Sequence, residues 1–210
     1  MGNKQAQLLQ EVKEVLERTY PRTSIRSDRN VVLVPFDSYA VEVVPGFETA
    51  DGKYLVPDSS GGGKYTTSDY LAEAQAIAAS DNAYNGNTRH LVRMMKCWQG
   101  YCSVPAKSFW LEVLATDFIA QWVYKGKGTV YYDWMVRDFL AYLKSKRNSF
   151  IISPGVYNII WLGEAWFSRA ETAYDRALKA IEHDAADRPY SGSGEWQKIF
   201  GADFPSPSAL

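Results

Sequence analysis

Tyr39-Ala40-Val41-Glu42-Val43-Val44-Pro45-Gly46-Phe47 decides how this chain is read. Val41, Val43 and Val44 make a β-branched run that Pro45-Gly46 stops, which predicts a short strand. Side chains alternate along a strand, so Val41 and Val43 face one way and Glu42 the other. A carboxylate inside an apolar strand is costly to desolvate unless it meets water, a cation or a partner. Two readings are open for Glu42. It lies in solvent on an edge strand, or it is a metal ligand.

Moving outward, Val31-Val32-Leu33-Val34 predicts a buried strand, and Pro35 with Asp37-Ser38 turns it back into the first, so the two are expected to pair antiparallel. Before them Leu8, Leu9, Val12, Val15 and Leu16 recur at helical spacing among charged residues, and Tyr20-Pro21 ends that helix. After the central strand, Tyr54-Leu55-Val56-Pro57 predicts one more extended piece. Gly61-Gly62-Gly63-Lys64 has the look of a phosphate loop, but Tyr65 stands where that pattern has Ser or Thr, so a flexible surface loop is expected.

From Ser68 onward the signal is helical: Asp69 to Ala79, Thr88 to Trp98, Ser108 to Trp122, and a helix from Asp133 with Met135, Val136, Phe139, Leu140 and Leu143 on one face. A long Ala-rich helix is expected from Leu162 to about His183. Ser191-Gly192-Ser193-Gly194 reads as a linker before a last turn or two from Glu195 to Phe200. One helix, two or three strands and then only helices define an α+β chain. The expected domains are residues 1–66 and 67–210.

The 210 residues carry a net charge of -1, which argues against general attraction to nucleic acid or to anionic membranes. The lack of a long apolar run or a signal-peptide pattern predicts a cytoplasmic protein. Cys97 and Cys102 have no Cys-x-x-Cys or His cluster around them and read as two core thiols. His183 reads as a solvated helix-end residue, and no Gly-x-Ser-x-Gly elbow supports a Ser/His/Asp hydrolase.

Arg89, Arg93 and Lys96 are spaced four and three apart, so they line one helix face with no interleaved acids. That face is either solvated or an anion site. Lys107-Ser108-Phe109 opens the next helix. A helix N-terminus with a hydroxyl suits an anion, and Phe109 offers a flat face to a base.

Several blocks, in order, carry a resemblance. They are Val41-Glu42-Val43-Val44-Pro45-Gly46-Phe47, Tyr54-Leu55-Val56-Pro57-Asp58, Asn85-Gly86-Asn87, Leu91 to Trp98, Lys107-Ser108-Phe109-Trp110-Leu111-Glu112, Leu162 to Trp166, and Glu195 to Gly201 with Phe204-Pro205. The set resembles the bacterial cyclic-GMP–AMP-synthase-like nucleotidyltransferases over nearly the whole chain.

The resemblance implies a polymerase-β-like nucleotidyltransferase core followed by an oligoadenylate-synthetase-like helical domain. It implies synthesis of cyclic oligonucleotides from ATP, GTP or other nucleoside triphosphates in antiphage signalling, by two-Mg2+ phosphoryl transfer. By position Glu42 is the third metal-binding carboxylate, Lys96 and Ser108 touch the triphosphate, and Phe109 stacks on a base. Arg93 is expected to be structural. The family's Gly-Ser turn and Asp-x-Asp strand have no counterpart here, and no Asp-x-Asp occurs anywhere. One carboxylate cannot hold two Mg2+, so the core is expected to be truncated and inactive alone. Mg2+ is then a cofactor only if the missing carboxylates are supplied. A second copy or a complementing chain is expected to cover the open sheet. The alternative is an inactive relative that binds nucleotide or a partner and regulates it.

Overall fold

The computed structural model describes residues 3–207. Seven α-helices and eight strands occur among the described residues, in two compact units, Met1–Ala72 and Glu73–Leu210.

Unit 1 begins with α1 (Lys4–Thr19). Asn3 caps it: its side-chain oxygen accepts from the Ala6 amide at 3.0 Å, and its Nδ2 donates to the Ser59 carbonyl at 2.8 Å. Strands β1 (Arg26–Asp28), β2 (Val31–Pro35) and β3 (Ala40–Val43) form an antiparallel sheet with β2 in the middle. Val32 and Val34 are buried at alternate positions of β2. They share a small core with Leu9 and Ile25, edged by Val12, Leu16, Phe36 and Val43.

The α+β class and the antiparallel hairpin are as the sequence implied, but unit 1 has more strands than the two or three expected. Strands β4 (Phe47–Glu48), β5 (Tyr54–Asp58) and β6 (Lys64–Ser68) form a second antiparallel sheet centred on β5. The glycine run is therefore no free loop. Gly61, Gly62 and Gly63 take φ values of 57°, 91° and 90° and reverse the chain, so that Lys64 pairs with Asp58. Lys64-Tyr65-Thr66-Thr67-Ser68 gave no apolar alternation to reveal its strand, because none of it is deeply buried.

Unit 2 is built mainly from α2 (Tyr70–Ala83), α3 (Asn87–Tyr101), α4 (Ser108–Gln121), α5 (Tyr132–Ser145), α6 (Phe167–Ala185) and α7 (Pro189–Phe200). Met95, Trp98, Leu111, Ile119, Met135, Phe139, Leu140, Trp166 and Ile199 are fully buried in one core. Between α5 and α6 lies an unexpected hairpin of β7 (Phe150–Ile152) and β8 (Ile159–Trp161). Two further expectations are corrected. Helix α6 begins at Phe167 rather than Leu162, and the Ser-Gly-Ser-Gly stretch lies inside α7. Pro189 starts α7. Gly192 then packs so closely on Asp184 that a side chain there would run into the carboxylate. Ser193 is buried and donates to the Pro205 carbonyl at 2.7 Å. Gly192 and Ser193, which looked like linker, are small because of what they pack against.

The thiols and His183 also differ from expectation. Cys97 is exposed and Cys102 half-buried, and both sulfurs lie against the last carbonyls of α7. His183 is half-buried with Nδ1 enclosed.

Asn87 fixes the turn from α2 into α3. Asn85 and Gly86 before it have φ of 59° and 79°. Buried at 1% exposure, its Nδ2 donates to the Lys125 and Lys127 carbonyls at 2.8 and 2.9 Å, and its Oδ1 accepts from the Tyr132 hydroxyl at 3.0 Å. The single amide pins the loop after α4 to the start of α3.

Three outcomes follow. Asn87→Leu should lower the unfolding free energy by about 2–3 kcal/mol in urea titrations, since it removes three hydrogen bonds to the partly buried Lys125 and Lys127 carbonyls and Tyr132 hydroxyl. Gly192→Val should lower it by about 1–3 kcal/mol through overpacking against Asp184. Burial pushes the half-buried Asp133 carboxyl above its ordinary 3.8. The folded state then holds that proton more tightly, so stability falls as pH rises from the ordinary value through the raised one. Asp133→Asn should flatten that fall in urea midpoints taken between about pH 4 and pH 7.

Candidate functional site

Glu42 lies in unit 1 on β3, an edge of its sheet. It pairs with Leu33, which pairs on its other side with Arg26, so these three share a face. Val32 and Val34 point to the opposite face and the core beneath α1. The Glu42 side chain is exposed and joins no ion pair or hydrogen bond among the described residues.

A magnesium site needs more than this carboxylate. Among the described residues no three His, Cys, Asp or Glu side chains are grouped to hold a metal. Mg2+ takes near-octahedral oxygen ligands, and Glu42 offers two oxygens. The residues present do not make a two-metal centre by themselves.

The other expected residues belong to unit 2. The row of cations on α3 is not left to repel itself. The Arg89 amide donates to Asp81 Oδ1 at 2.9 Å and its guanidinium to Oδ2 at 3.3 Å. Asp81, from α2 and largely buried, thereby caps the first turn of α3 and neutralises Arg89. Lys96 pairs with Glu112 of α4. Arg93 is exposed and joins no ion pair among the described residues. The acids come from neighbouring helices, which spacing along α3 cannot show.

Helix α4 starts at Ser108, one residue past the cap position, which Lys107 holds with extended φ and ψ of -83° and 139°. No side chain among the described residues caps that end, and no acid lies in the first turn. The Ser108 hydroxyl donates to Gln99 Oε1 at 3.1 Å, and Gln99 Nε2 donates to the Ala106 carbonyl. Ser108 and Glu112 are four apart on α4, and Lys96 and Gln99 three apart on α3, so the two contacts bind one face of each helix. The Lys96 ammonium is thus held within about one helical turn of an open helix N-terminus.

Phe109 is half-buried and walls a cavity of about 170 Å3. Ala76 and Ile77 of α2, Val113 of α4, Ile152 and Pro154 complete its apolar wall, with Glu73, Glu112 and Asp117 at its polar side. Burial pushes the Asp117 carboxyl up, against the pull of the Lys146 ammonium. The structure thus brings Lys96, Ser108 and the Phe109 wall together in one unit, while Glu42 belongs to the other. Sequence reasoning missed Asp81, Gln99 and Glu112. Only Glu112 left a signal, its spacing of four from Ser108.

The description of the Second Messenger Oligonucleotide or Dinucleotide Synthetase domain matches residues 1–81. A probable cyclic nucleotide synthase of Bacillus cereus (strain VD146) is 24% identical over 203 residues, covering 89% of this chain and 59% of that protein. The chain thus spans about three fifths of the length of this curated relative. Among solved structures, Escherichia coli MS115-1 CdnC in a CdnC:HORMA-deltaN complex is similar with a TM-score of 0.64 and 20% identity, over 95% of this chain and 72% of that one. The GTP-bound form of Vibrio cholerae DncV reaches 0.74 at 12% identity, over 94% and 56%. V. cholerae DncV cyclic AMP-GMP synthase with the linear intermediate 5' pppA(3',5')pG reaches 0.73 at 12%, over 90% and 56%. These structural likenesses speak to fold. The chain is thus similar to a Second Messenger Oligonucleotide or Dinucleotide Synthetase domain over residues 1–81, and to these solved structures in fold.

Proposed function

We propose that this chain is part of a nucleotidyltransferase that joins ATP, GTP or other nucleoside triphosphates into cyclic oligonucleotide second messengers for antiphage signalling. Residues 1–66 are then part of the catalytic core and 67–210 its helical domain. The observation that carries this reading is the pairing of Lys96 with Glu112, about one helical turn from the uncapped start of α4 at Ser108. An ammonium beside free backbone N–H groups and a hydroxyl is an anion site with the character a triphosphate needs. Phe109, next in sequence, gives a base an aromatic wall.

The resemblance assigns Glu42 to the metal, Lys96 and Ser108 to the triphosphate, and Phe109 to the base. With no grouped acids among the described residues and no Asp-x-Asp in the 210 residues, these residues do not catalyse the transfer alone. Mg2+ acts here once two further carboxylates are supplied by a complementing chain or a second copy, which also covers the open face of the β1–β3 sheet. No helix among the described residues is long and apolar enough to cross a membrane, in keeping with a cytoplasmic role.

A second reading is an inactive relative that binds nucleotide or a partner and regulates it. The Lys96–Glu112 pair favours it, because a triphosphate must share or displace Glu112.

Titration calorimetry with ATP and GTP tests both. Lys96→Ala should weaken binding by at least about tenfold, since charge-assisted contacts contribute about 1.5–3 kcal/mol. Ser108→Ala should weaken it less. Mixing the chain with a polypeptide bearing the Gly-Ser and Asp-x-Asp segment, Mg2+ and radiolabelled triphosphates should yield cyclic product. Nucleotide binding without product selects the regulatory reading. Absence of any nucleotide binding overturns the catalytic reading and the nucleotide-binding form of the regulatory one.

A further inference from the structure

We propose that a second copy of this chain docks on the outer face of the β7–β8 hairpin, forming a two-fold dimer through unit 2. Phe150 pairs with Trp161, Ile151 with Ile160 and Ile152 with Ile159. The alternation sends the middle pair inward: Ile151 is buried in the core of unit 2 and Ile160 packs against it. The flanking pairs lie on the other face, where Ile152 also borders the cavity walled by Phe109. Phe150 is 47% exposed, Ile152 50%, Ile159 60% and Trp161 67%, with Tyr157 at the turn 77% exposed. The Phe150 and Trp161 rings meet edge to face at 5.6 Å, so the surface is an ordered aromatic and aliphatic patch.

Its size argues for a partner. Those five fractions amount to about three fully exposed side chains, or on the order of 600 Å2 at ~200 Å2 each. That lies at the upper end of the ~300–600 Å2 of the largest patch on a typical monomer, and it approaches the ~800 Å2 per partner of a standard interface.

Its charge argues for a second copy. No charged residue occurs from Asn148 to Gly163 in a chain that is 22% charged. The hairpin therefore lacks the charges with which exposed strands fend off one another. In a two-fold contact each patch meets itself, so any charge it carried would oppose its own kind; a neutral patch escapes this. The nearest ion pair, Arg147 with Glu164 at 2.6 Å, sits at the hairpin base. The base is held by Asn148 donating to the Gly163 carbonyl at 2.9 Å and Leu162 to the Ser149 carbonyl at 3.0 Å, so the face is ordered before it binds. This contact lies in unit 2, needs no nucleotide, and is separate from any cover over the β1–β3 sheet.

Sedimentation velocity on the 210-residue chain, over a range of protein concentration, reads the association. A monomer–dimer equilibrium in the micromolar range is expected. Ile159→Lys should weaken dimerisation at least about tenfold, because it sets like charges together in a buried patch. Tyr157→Lys, at the exposed turn, should act in the same direction, and thermal melts by circular dichroism check that both variants fold. Mixing Ile159→Lys with Ile159→Glu should restore association. A chain that stays monomeric at about 100 μM, or a dimer that neither lysine weakens, overturns the proposal.

Discussion

The contact between α3 and α4 is the constraint on which the candidate nucleotide-binding groups of unit 2 depend. Two kinds of interaction make it. Met95 and Trp98 on α3 and Leu111 on α4 are fully buried, each side chain contributing about 1.5–3 kcal/mol by leaving water. The Lys96–Glu112 pair is partly solvated, with side chains 41% and 22% exposed, and contributes on the order of 1 kcal/mol or less. Apolar packing therefore brings the helices together, and the ion pair decides where the ammonium sits once they are there. This division suits a binding group, because an exposed pair can exchange its carboxylate for a phosphate without endangering the fold.

Buried polar groups play the opposite part. Asn87, Asp81 and the Ser80–Thr88 hydroxyl pair, whose oxygens are 2.8 Å apart, are enclosed and satisfied where α2 turns into α3. Left unpaired, each would cost about 1–3 kcal/mol, so they specify one arrangement of that turn. Two consecutive positive φ values at Asn85 and Gly86 let the chain reverse tightly enough for Asp81 to reach the first turn of α3. The Asn-Gly-Asn block that carried part of the family resemblance thus has a structural reason of its own.

The β3 strand shows how far alternation carries. Glu42 stands on the face opposite Val32 and Val34, as the spacing in Tyr39 to Phe47 requires, and the strand is an edge. Local spacing gives the direction of a side chain. It does not give a second or third carboxylate, because metal ligands converge through space from separate elements.

The sequence by itself determined the α+β class, the first helix, the hairpin around Glu42, most of the later helices and the ordered blocks of the family. Each rests on a period or a short motif that near neighbours impose on one another. Tertiary structure alone decided that Arg89 and Lys96 answer to Asp81 and Glu112, that Asn87 holds the loop at 125–127, and that Gly192 and Ser193 are helical. It also decided that β6, β7 and β8 are strands. The physical reason is common to all of these. Their energies come from partners on other elements: a polar or glycine-rich segment carries no periodic trace of such contacts, and the three-residue apolar runs of β7 and β8 are too short to show one.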